Sequence, residues 1–97
     1  MNPPNITWPF HDETSGYDLK ENLYYGFGDS GSMYCANFPS KEGAIAYIKI
    51  HHEMKVEEIG TEPGQLSEYA VVVMSGSEFV EECFKRGLID ENGVWTF

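Results

Sequence analysis

Apolar residues in this chain fall into short runs of two periods, with polar or structure-breaking residues between them. Leu23–Phe27 and Met33–Phe38 have strand composition, rich in aromatic side chains. The turn cluster Asp29-Ser30-Gly31-Ser32 between them predicts a hairpin. Pro39 and Ser40 then punctuate the chain. Ser40 is a favourable N-cap for a helix running to about His52, and Glu42 suits the positive end of its dipole. On a 3.6-residue wheel Ala44, Ile45, Tyr47 and Ile48 share one face, while Lys49, Ile50 and Glu53 point outward. Met54–Ile59 fits a short strand and a helical continuation equally, and Gly60–Gly64 reads as a loop. Tyr69–Met74 is continuously apolar and Val-rich, the pattern of a central strand. Ser75-Gly76-Ser77-Glu78 has capping-box form and opens a helix to Arg86. Phe79, Val80, Cys83 and Phe84 make its buried stripe, with Gly87 as its C-terminal stop. Asp90-Glu91-Asn92-Gly93 predicts a turn before a terminal strand, Val94–Phe97.

The predicted order is β-β-α-(β)-β-α-β. Hairpins at both ends favour an α+β fold: a mainly antiparallel sheet of four to five strands with two helices on one face. Residues 1–18 read as an irregular arm, broken by prolines and pinned by Trp8 and Phe10. Residues 19–97 form the expected single domain.

Composition sharpens this picture. The chain has 97 residues, 41% of them apolar, with six Phe, six Tyr and two Trp, enough to build a core rather than remain disordered. The longest wholly apolar run, Ala70–Met74, is too short to cross a bilayer, and no apolar leader follows Met1. A cytoplasmic location is the expectation, which makes the sequon Asn5-Ile6-Thr7 a coincidence and Cys35 and Cys83 buried, reduced thiols. Charge changes the picture most. Sixteen Asp and Glu against six Lys and Arg give a net charge of −10. Such a surface repels nucleic acid and anionic lipid and attracts basic protein surfaces.

Several motifs invite chemistry. Gly26-Phe27-Gly28-Asp29-Ser30-Gly31 fits G-x-G-x-x-G, but the dinucleotide version needs a helix at the glycines and Met33–Ala36 reads as strand. The strand-loop-strand form resembles the nucleotide loop of protein kinases, yet 97 residues cannot hold a kinase, and Asp29 would meet phosphate with the wrong charge. His51-His52-Glu53 suggests a metal, but adjacent histidines diverge by about 100° on a helix and zinc sites there need ligands at i and i+4. A Cys–His enzyme would need Cys35 to meet His51, or Cys83 to meet His52, without a local signature to support either. Ser30 and Ser32 lack a nucleophile-elbow context. No catalytic residue, metal site or cofactor is therefore expected.

The acidic residues carry the functional expectation. Glu78, Glu81 and Glu82 are explained by helix electrostatics, the last two through Lys85 and Arg86 at i+4. Across residues 53–68, five glutamates face the single Lys55, and Asp12-Glu13 and Asp90-Glu91 add doublets. A solvated face is the plain alternative to a docking surface. Glu57, Glu58, Glu62, Glu68, Asp90 and Glu91 are the candidate partner-binding residues. Tyr24, Tyr69 or Trp95, if exposed beside them, would supply anchors. In size and charge the chain resembles phage-encoded inhibitors such as anti-CRISPR proteins, and bacterial immunity proteins that cap basic nuclease toxins. The resemblance implies a non-enzymatic inhibitor of a basic, nucleic-acid-binding protein or complex, acting as a partial nucleic-acid mimic without binding nucleic acid or membrane itself. An antitoxin, a small module dimerising through a strand edge and a small Cys/His enzyme are the alternatives.

Overall fold

In the computed structural model, which describes residues 5–28 and 31–96, the protein is α+β with two helices and two sheets. The four-stranded sheet is mixed. Strand β3 (Tyr24–Gly28) is antiparallel to both β4 (Met33–Phe38) and β6 (Val71–Ser75), and the short β5 (Ile59–Gly60) runs parallel to β6. The spatial order is β4-β3-β6-β5. A separate ribbon pairs β1 (Phe10–His11) with β2 (Asp18–Leu19), so the N-terminal arm is partly regular. Of the predicted turn and terminal strand, Asp29, Ser30 and Phe97 lie outside the described residues, as do positions 1–4 of the arm.

The helices do not share a face. Helix α1 (Lys41–His51) packs Ala44 and Ile48 against Cys35, Ile59, Val71 and Val73. Helix α2 (Gly76–Lys85) packs Phe79, Val80 and Cys83 against Tyr25, Phe27, Val72 and Met74, on the opposite side. Alternate side chains of a strand point to opposite faces, so β6 needs a cover on each side. That is the physical reason the single-face expectation fails: it would leave Val71 and Val73 in water, whereas both are fully buried.

Local signals match the helices well. Ser40 Oγ accepts the Gly43 N–H at 3.0 Å. Ser75 ends β6 and caps α2 at once: its Oγ accepts from Glu78 N, and the Glu78 carboxylate accepts from Ser75 N. The undecided Met54–Ile59 becomes a 3-10 turn, Val56–Glu58, followed by β5. The expected terminal strand reduces to one bridge, Ile89 to Trp95. The 88–96 segment folds back on itself instead, with Asp90 Oδ1 accepting from Asn92 N and Val94 N.

Candidate partner-binding surface

The six candidate acids occupy two places. Glu57 and Glu58 form the 3-10 turn that enters β5, at the sheet edge. Glu62 and Glu68 stand in the loop leaving that strand, where Pro63–Gln65 makes a second 3-10 turn and buried Leu66 ties the loop to the α2-side core. All four are exposed and flank β5. Asp90 and Glu91 lie on the loop after α2, held by Asn5 N donating to the Glu91 carbonyl at 2.7 Å. Four of the six acids thus flank β5 in the chain, and the other two lie on a loop that meets the N-terminal segment at Asn5.

Their carboxylates differ in what they already do. Glu58 accepts from Lys55 N at 3.0 Å and closes its own turn, and Asp90 holds the turn after α2. Glu62 stands 4.0 Å from Lys41, whose ammonium also donates to the Thr61 carbonyl at 2.7 Å. Among the described residues, the side chains of Glu57, Glu68 and Glu91 make no hydrogen bond or ion pair. These three carboxylates are available to an outside cation.

The aromatic anchors expected beside the acids have other work. Tyr24 packs in the α1-side core, Tyr69 covers Gly60, and Trp95 packs 5.8 Å from Phe10 while its indole N–H donates to the His11 carbonyl. A half-buried aromatic cluster lies elsewhere, on β4 and the end of α1. Tyr47 stacks on His51 at 4.2 Å and meets Phe38 at 5.1 Å, and Tyr34 sits 4.8 Å from His52. Sequence reasoning missed this cluster because Tyr34, Phe38 and Tyr47 become neighbours only when α1 lies across β4.

The glycine and histidine motifs take part in packing. Gly26 and Gly28 are glycines because a Cβ there would press on the Ile48 and Tyr34 side chains, so the glycine motif makes room for α1 and β4. His52 Nε2 lies 2.9 Å from the Tyr34 carbonyl and His51 is stacked, and no group of three metal-ligating side chains occurs among the described residues. Cys83 packs on the α2 side of the sheet while His52 contacts Tyr34 in the α1-side layer, so that pair cannot meet. Burial pushes the Cys35 thiol up to about 11 and the Cys83 thiol up to about 12, the latter helped by Asp12. Among the described residues no helix is long and apolar enough to cross a membrane.

Compared with known proteins, the chain matches no family model, no curated protein and no solved structure. The surface must therefore be read from its own chemistry.

Proposed function

We propose that this protein is a non-enzymatic acidic inhibitor that binds the basic surface of a nucleic-acid-binding protein or complex and covers ground that nucleic acid would occupy. The observation that supports it is the set of exposed carboxylates on the segments flanking β5, with Glu57 and Glu68 in no ion pair among the described residues, on a chain of net charge −10. Nucleic-acid-binding grooves select for regularly placed negative charge, one per about 1.7 Å of duplex axis. Carboxylates at a sheet edge imitate part of that pattern and speed encounter by steering. Asp90 and Glu91 extend the acidic surface to a second contact. The strand-edge dimer is the weaker reading, because β4 carries two register shifts that blunt its free edge.

The test is affinity capture from a nuclease-treated bacterial lysate at about 50 mM and about 200 mM salt. The bait is the wild-type chain, with Glu57→Lys/Glu68→Lys as control. A basic protein held by wild type, released as salt rises, lost with the control and displaced by nucleic acid supports the proposal. Equal capture by both baits would remove charge mimicry as the mechanism.

A further inference from the structure

A groove of about 270 Å³ follows β4, lined chiefly by Tyr17, Met33, Tyr34, Asn37, Phe38 and Tyr47. Among the described residues no charged side chain lines it. Its aromatic walls are fixed in place: Tyr47 is held between Phe38 and His51, and Tyr34 is braced by His52, which also contacts the Tyr34 carbonyl. Tyr17 stands on the ribbon side of the groove and is 51% exposed. Of the two non-glycine residues with positive φ among those described, Asn37 at 63° lines the groove and Glu53 at 53° lies just after α1. Asn37 marks a bulge in β4, and Glu53 follows His52.

The chemistry of this groove is specific. Aromatic faces carry negative charge density and attract cations, most strongly where water is partly excluded. Lys20, Lys41 and Lys49, the cations nearest in the chain to the groove's lining residues, do not line it, and the Lys41 ammonium is engaged by the Thr61 carbonyl. The net charge of −10 adds a long-range bias of the same sign. Among cations, a guanidinium is planar, weakly hydrated and stacks on rings, which a strongly hydrated ammonium does not. The protein already makes one such contact internally, with the Arg86 guanidinium 5.2 Å from the centre of the Phe27 ring.

We infer that the β4 groove seats an arginine side chain of the basic partner, the energetic anchor of an interface whose acids mainly steer. This rests on the proposed binding of a basic partner. The β4 edge lies three strand spacings from the β5 edge, about 14 Å, within the span of one ordinary interface.

The experiment is an NMR titration of the full chain with the peptide Gly-Arg-Gly-Arg-Gly and with its citrulline counterpart, which keeps the shape and loses the charge. The arginine peptide should shift the Tyr34, Tyr47 and Phe38 ring signals, and the citrulline peptide should shift them at least about threefold less. Tyr34→Leu/Tyr47→Leu should weaken arginine-peptide binding by about 3–10-fold with the amide spectrum otherwise intact. Should that variant unfold, the comparison of the two peptides on wild type decides alone. Equal binding of both peptides, preference for a proline-rich peptide, shifts confined to the β5-edge glutamates, or no shift at all would each overturn the inference. Glu57→Lys/Glu68→Lys should keep the ring shifts. Loss of partner capture by that variant beside unchanged capture by the leucine variant would sink the groove and spare the acidic reading.

Discussion

Tyr25 ties three segments together through one hydroxyl. Its oxygen accepts the Lys20 N–H at 2.7 Å and donates to Asn37 Oδ1 at 2.6 Å, while the ring meets Phe79 edge-on at 6.2 Å. Burial pushes its pKa up, opposed by the Lys20 N–H, so the phenol stays neutral and able to donate. Tyr25→Phe would keep the ring and strand both partners, one of them on the bulged residue of β4. A loss of about 1–2 kcal/mol in urea unfolding is expected, and an unchanged midpoint would show that water replaces the hydroxyl. His11 supplies a pH-dependent contact. Its Nδ1 lies 2.8 Å from Asp18 Oδ1 across the β1–β2 ribbon, and that hydrogen bond, against slight desolvation and with Glu13 and Asp12 adding attraction, raises its pKa. A raised folded-state pKa gives stability that is fully present below the unfolded value near 6.5 and is lost as pH rises through the folded value. The ribbon should therefore tighten on acidification from neutral pH. Amide exchange at residues 10–19 should slow between pH 8 and pH 6 after correction for intrinsic rates, and Asp18→Asn should remove that trend. Asp12 is buried, its carboxylate accepting from Thr14 N, Thr14 Oγ1 and Ser15 Oγ rather than from a cation among the described residues. That role was not legible in Asp12-Glu13, which reads as one more exposed doublet.

At the scale of elements, the caps were legible and the layers were not. Ser40, Ser75 and Glu78 act as their spacing predicts because a cap is settled within four residues. The uninterrupted apolarity of Val71–Met74 already held the answer to the layer question, since a strand half-exposed to water would alternate. The bulge of β4 at Asn37 is held by the Tyr25 hydroxyl on the neighbouring strand, and no local pattern encodes it. The terminal strand failed for a related reason: Trp95 is committed to the ribbon carbonyl of His11 and bridges only to Ile89, leaving Val94 exposed. One junction shows how closely the elements are fitted. Gly76 N donates to the Leu23 carbonyl and Ser77 N to that of Glu21, docking the start of α2 on the β2–β3 turn. A Cβ at Gly76 would collide with the Lys20 carbonyl, a backbone atom that cannot swing aside. Gly76→Ala should then cost at least about 2 kcal/mol despite the better helix propensity of alanine. Thermal unfolding of Gly76→Ala beside Gly64→Ala, whose position is open, separates crowding from chain stiffness.

For the whole molecule, charge works against the fold that carries it. Ten excess negative charges on a body of 12.7 Å radius of gyration repel one another, and the six cations are already partly used, Arg86 on Glu82 at 3.0 Å and Lys41 on the Thr61 carbonyl. The sequence revealed the excess but not its placement, because convergence depends on which loops flank β5 and on the side to which the 88–96 segment returns. Placement also separates the acids by what their removal would test. Reversing Glu58 or Asp90 breaks a turn, whereas the side chains of Glu57 and Glu68 make no hydrogen bond or ion pair among the described residues. Glu57→Lys/Glu68→Lys should therefore melt about 2–4 °C higher than wild type at low salt. The gap should close as salt shortens the screening length to about 3 Å near 1 M. A lower melting temperature for the variant would mean that these carboxylates have a structural role. A higher one, together with lost partner capture, would identify acids retained at a cost to stability, which is the signature of a surface shaped by what it binds rather than by how it folds.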